Sequence, residues 1–367
     1  MKPGIVRPLL MLAILCTFAS PAFPQTASAS AIKKEITRLQ IDLKELKIPT
    51  KDFKSLASTA GDALKEAQAA LDGGQLYLSV EKIGEADTLL RGVHSVADAA
   101  EAEKNTLPGF EKKWNEVSLR LTARDKEAHS QSWNRAPLAV RALAEAAQGE
   151  SIPLLEGGRG FASATSPLEG LFYVGMAEGN VDFAKFCASL NFPAKPVAFP
   201  LRSLSAELHS LQEKTNAAFQ PPKSIDQHPR FIDLNSAIKL AKELDASKFF
   251  AGALVSYLEA VRHFGMLDAP SPNAAEQGKL KLDVAAAKQK LAASQSDDSI
   301  AQYFVERAES YTSHADGAAP TEDEWRGARV ILEQVLPAYY AAQKPAAPFE
   351  AAPGKTVDIT LVRWPYT

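Results

Sequence analysis

"LDGGQLYLSVEKIGEA" (residues 71–86) stops one helical pattern and starts another within a few residues. Leu71-Asp72 ends the first, Gly73-Gly74 break the chain direction, and Leu76, Val80, Ile83 and Ala86 then recur at helical spacing on one face. A turn this short sends the second helix back along the first, so that their apolar faces meet. The layout returns in "LDASKFFAGALVSYLEA" (residues 244–260), where Phe250, Leu254, Tyr257 and Ala260 take the matching positions and the turn is one residue longer. Both stretches predict antiparallel helical hairpins. Two matches so far apart establish no strict repeat.

Working outward, "AIKKEITRLQIDLKELKI" (residues 31–48) carries a narrow stripe of Ile32, Ile36, Leu39, Leu43 and Leu46, expected to dock a helix on the body. Pro49 ends it, and Thr50 is placed to cap a helix running to Leu71. Further helices are expected at 75–104, 109–131, 137–148, 201–218, 275–294, 299–313 and 322–343. The last opens with a Thr321/Glu324 capping box. Proline marks the linkers at 191–200, 220–230, 267–272 and 344–354.

A third hairpin is expected at "SPLEGLFYVGMAEGNVDFAKFCASL" (residues 166–190), opened by Ser166, Pro167 and Glu169 and turning at Gly179-Asn180. This unit resembles a tetratricopeptide hairpin. Leu168, Leu171, Gly179, Ala184 and Pro196 fall at that family's hydrophobic, turn, small and closing-proline positions, while Phe172, Gly175 and Ala188 depart from them. The resemblance spans about thirty residues. It implies stacking of helical hairpins and carries over no binding residue.

The two ends differ from the rest. Lys2 and Arg7 precede the apolar run 9–19, small residues follow, and no acid occurs before Glu35. That is the layout of a secretory signal peptide, with cleavage expected after Ala29 or Ala22. No second long apolar run occurs, so the mature protein is not expected to span a membrane. Without the leader, which holds Cys16, one cysteine remains: Cys187, on a helix face with Phe183, Phe186 and Leu190, read as a buried thiol. At the other end, Val357, Ile359 and Leu361 alternate with Asp358, Thr360 and Val362 as in a half-buried β-strand. The alternating Val197, Phe199 and Leu201 are an internal partner for a two-strand ribbon. The alternatives are a tail recognised by another protein through Leu361, Arg363, Trp364 and Tyr366, and a disordered end.

Motifs for chemistry are sparse. Gly354-Lys355-Thr356 fails as a phosphate loop, because Phe349 stands where the first glycine belongs and no helix can follow. "EGGRGF" (residues 156–161) has no dinucleotide spacing and reads as a turn or frayed helix end. His94, His129, His209, His228, His263 and His314 include no i, i+3 or i+4 pair, so no helix face presents two metal ligands. Ser30–Lys33 and Ser79–Lys82 match Ser-x-x-Lys without its companion motifs. Asp297-Asp298 and Glu322-Asp323-Glu324 sit at helix starts, where carboxylates suit the dipole. Trp114, Trp133, Trp325 and Trp364 read as core or cover more readily than as sugar-stacking platforms. Catalytic residues stay unassigned, and neither cofactor nor metal is expected. With a net charge of −3 and no long basic run, nucleic acid has no footprint.

These features predict an all-α protein of stacked antiparallel helical hairpins, an irregular solenoid or bundle, with a short C-terminal β-strand. The expected divisions are a signal peptide (1–29), an N-terminal helical half (30–190), a connection containing a helix (191–230), a C-terminal helical half (231–343), a linker (344–354) and the tail (355–367). The expected role is non-catalytic: a secreted or periplasmic protein that binds a protein or peptide. The alternatives are a hydrolase or carbohydrate-active enzyme with dispersed acidic residues, and a small-molecule or lipid-binding helical protein.

Overall fold

The computed structural model describes residues 27–344 except 49, 102–105, 131, 132, 134, 135, 165, 194, 222, 223, 315 and 316. The helices are α1 (Ala27–Glu45), α2 (Lys51–Asp72), α3 (Leu76–Glu101), α4 (Leu107–Ser130), α5 (Leu138–Ala164), α6 (Pro167–Ser189), α7 (Ser205–Ala218), α8 (His228–Ala246), α9 (Phe250–Asp268), α10 (Ala274–Ala292), α11 (Ser299–Thr312), α12 (Glu322–Val330) and α13 (Leu336–Ala342). A π turn (Ile331–Val335) joins the last two. It lies just ahead of Pro337, which has no N–H to continue the ladder.

Both hairpins around the short turns form. α2 packs on α3, and α8 on α9. Val80, Ile83, Ala86, Leu254 and Ala260 are buried. The two turns close alike. Gln75 N–H donates to Ala70 O at 2.7 Å and Phe249 N–H to Leu244 O at 2.9 Å, and the preceding residues, Gly74 and Lys248, are left-handed at φ +75° and +63°. Gly74 thus corresponds to Lys248, and the Leu-Asp pair sits one residue earlier in the second hairpin. Only one of the two left-handed positions is glycine.

The expected hairpin at 166–190 is one unbroken helix, α6. Gly179 and Asn180 do not turn the chain; they bring α6 onto α3. A Cβ on Gly179 would stand 2.8 Å from Thr88 Cα, and the Thr88 hydroxyl donates to Asn180 Oδ1 at 2.6 Å. The helix expected at 137–148 also continues, through Pro153 and the glycine-rich stretch, to Ala164. There a Cβ on Gly158 would lie 2.9 Å from Gly170 O, so these glycines seat α5 against α6.

Among the described residues there is no strand, which corrects the expected fold class to all-α without a strand. The tail 355–367 lies outside the described residues. Its proposed partner, 196–201, is irregular. Pro196 and Pro200 lack ladder donors. The segment's groups are used elsewhere: Asp297 N–H, in the loop before α11, donates to Pro196 O at 2.8 Å, and Phe199 packs edge-on against Tyr339 on α13.

Several helices are capped by side chains distant in sequence. Tyr77 and Leu78 N–H donate to Glu306 Oε2 at 2.8 and 3.0 Å. Leu138 N–H donates to Asp297 Oδ2 at 2.7 Å, and Ala139 N–H to Ser299 Oγ at 2.8 Å. Gly252 N–H donates to Glu145 Oε2 at 2.8 Å, and Leu204 N–H to Asp245 Oδ1 at 2.8 Å. Each bond satisfies an N–H that its own helix cannot, through a carboxyl or hydroxyl oxygen brought to the start of that helix. Thr50 is at the N-cap of α2 but makes no side-chain bond. The capping box at Thr321/Glu324 forms. The largest buried apolar cluster runs from Ile32 on α1, docked on α2 and α3, to Ala342 on α13.

Candidate functional site

A groove of about 1400 Å³ runs between α2, α3 and α6 on one side and α8 and α9 on the other. α5 and α11 line it between these walls. Gly252 lets α9 lie close on α5, since a Cβ there would be 2.7 Å from Glu145 Cβ. α11 joins the walls electrostatically. The buried Arg307 guanidinium bonds Glu81 on α3, Glu259 on α9 and the Tyr303 hydroxyl on its own helix. Arg262 Nε–H donates to Glu259 Oε2 at 2.9 Å.

Burial alone would raise the Glu259 carboxyl, but Arg307 and Arg262 overcome it and hold the group down at about 2. Burial pushes the Tyr303 phenol well above its ordinary value. Burial, then Arg262, lowers His263. Each lysine and arginine on the groove is answered there by a carboxylate: Arg307 and Arg262 as above, Lys82 by Glu66 (2.7 Å) and Glu85 (3.0 Å), Lys239 by Glu243 (3.8 Å).

Three groups on the groove are not fully answered. Glu81 Oε2 is buried without a hydrogen-bond partner. Asn180 is 4% exposed, and its Nδ2 also lacks one. Glu150, exposed on α5, faces that amide. The gap between them stops short of a hydrogen bond.

A second cleft of about 750 Å³ lies where Asp297 caps α5. Trp133, Phe192, Val197, Leu201 and Phe249 line it, and the His129 ring stacks on Phe249 at 4.3 Å.

The residues singled out by sequence disperse. Leu361, Arg363, Trp364 and Tyr366 lie outside the described residues. Of the histidines, His263 and His314 reach the groove, the latter 3.1 Å from Glu324. His209 is exposed beside Glu213. Among the described residues no group of three metal-ligating side chains converges. Ser79 is buried and donates to Ala67 O. Trp114 Nε1–H donates to Leu155 O at 2.9 Å beneath the Arg159 guanidinium, and Trp325 is buried. Cys187 is a buried free thiol.

Sequence reading missed Glu81, Glu150, Asn180, Glu259 and Arg307. Its only signal was local: Glu259 and Arg262 pair at i, i+3, while Tyr303 and Arg307 pair at i, i+4. No protein-family model matches the chain, and neither a curated protein nor a solved structure does.

Proposed function

We propose that this is an exported, non-catalytic helical protein whose long groove holds a segment of another protein or a peptide. The observation that carries this reading is the groove itself: an open trough walled by helix faces, with its basic groups internally paired. Convergent carboxylates are also what a glycoside hydrolase needs. Here Arg307 bridges Glu81 and Glu259 and, with Arg262, holds Glu259 at about 2, which suits a standing ion pair rather than a proton donor.

Export rests on the charged and apolar pattern at the N-terminus. The structure supports cleavage after Ala22 rather than Ala29, because Ser28 is fully buried and donates to Asn191 O. Among the described residues no helix is long and apolar enough to cross a membrane. Amino-terminal sequencing of the native protein is expected to return Phe23; Met1 from a cytosolic fraction would overturn export.

The groove is tested by panning random displayed peptides on the mature protein and on Ser236→Trp. Ser236 is an exposed wall position, where an indole projects into the groove and obstructs it locally. The expected result is a peptide family retained by the parent and lost by the variant, with unchanged melting. Equal retention by both would remove the groove from the function.

A further inference from the structure

We propose that the groove selects an extended peptide segment bearing lysine or arginine side chains. This rests on the reading of the groove as a peptide site and specifies its ligand. The first ground is charge. The groove's own lysines and arginines are paired with its carboxylates, and Glu150 and Asp233 face it with no lysine or arginine partner among the described residues. Negative charge is left over along the trough. Glu150 is exposed on the groove, so a cation can seat beside its carboxylate.

The second ground is independent of charge. Asn180 offers a buried amide donor, and Glu81 a buried oxygen acceptor, each without a partner. A buried polar group left unpaired is costly. A peptide backbone presents a carbonyl for the first and an N–H for the second. A polyamine presents donors alone and leaves Asn180 unmet. Glu150 lies over Asn180 without closing a hydrogen bond to it. Thr88 fixes the Asn180 side chain by donating to Oδ1 at 2.6 Å, which leaves the amide nitrogen for the ligand.

The test uses fluorescence anisotropy of labelled alternating Lys-Ala, Ser-Ala and Glu-Ala peptides with the mature protein, and spermine as competitor. The Lys-Ala peptide is expected to bind best and to weaken with added salt. Glu150→Gln combined with Asp233→Asn is expected to weaken it about tenfold at unchanged melting temperature. Asn180→Ala is expected to weaken Lys-Ala and Ser-Ala peptides alike. Equal binding of Ser-Ala and Lys-Ala would overturn the cationic preference and leave the peptide groove standing. Displacement by spermine at equal charge concentration would make it a polyamine site and overturn the peptide claim. No binding by any of the peptides would overturn the groove reading as well.

Discussion

Tyr77 and Glu306 stand 229 residues apart, and the Tyr77 N–H donates to Glu306 Oε2 at 2.8 Å. Leu78 gives a second bond to the same oxygen, and Gln302 Nε2–H donates to Oε1 at 3.1 Å. A carboxyl from α11 thereby closes the start of α3, a wall of the groove. Replacing Glu306 with alanine strands two buried N–H groups and is expected to cost roughly 3 kcal/mol in urea unfolding. An unchanged midpoint would show that the cap carries no weight.

The same residue makes stability depend on pH. Burial raises the Glu306 carboxyl to about 8 against the bonds from Leu78, Gln302 and Tyr77; its ordinary value is 4.5. Between those values the folded protein keeps a proton that the unfolded chain releases. Its contribution is therefore full below 4.5 and is lost as pH rises through 8. Urea midpoints across that range are expected to fall in the parent and to fall less in Glu306→Gln.

Glu259 behaves in the opposite sense. Arg307 and Arg262 hold it at about 2 against burial, so its contribution is present above 4.5 and lost as pH falls toward 2. Glu259→Gln is expected to cost roughly 3 kcal/mol at neutral pH, because Arg307 stays buried with Glu81 alone. The variant's acid-unfolding curve should also flatten. A parallel curve would place the acid sensitivity elsewhere.

Gly179 tests the closeness of α6 and α3. A methyl group there meets Thr88 Cα at 2.8 Å, which is backbone and cannot step aside. Gly179→Ala is expected to destabilise by roughly 1–3 kcal/mol despite alanine's better helix propensity. A stabilised variant would contradict the packing.

Cys187 is fully buried on α6, and burial pushes its thiol far above the ordinary value. In the mature chain a thiol reagent is expected to find no reactive group until denaturant is added. Stoichiometric labelling of the folded protein would show the α6 face to be open.

Helix positions were largely readable because amphipathic spacing is local. Leu76, Val80, Ile83 and Ala86 announce α3 whatever they pack against, and Thr321 with Glu324 announces α12. Glycine was read less well, because two physical roles share one residue. Gly74 turns the chain through a positive φ, whereas Gly179 sits in mid-helix and admits a neighbouring backbone. Which role applies depends on what lies opposite. The irregular course of 196–201 was lost for the same reason: alternation suggested a strand, but strand pairing needs a partner that only the folded chain supplies or withholds.

The sequence by itself determined that this chain is helical, where most helices start, that two tight hairpins form around residues 73–75 and 247–249, and that Cys187 faces the core. All of these follow from interactions within a few turns of one helix. The tertiary structure alone decided the groove. Glu81, Glu259 and Arg307 come from three helices, and the caps of α3, α5 and α9 come from Glu306 on α11, Asp297 in the loop before it and Glu145 on α5. Ion pairs and caps between distant residues depend on which helix ends the packing brings together. Hydrophobic periodicity fixes a helix's buried face but not the neighbour that covers it.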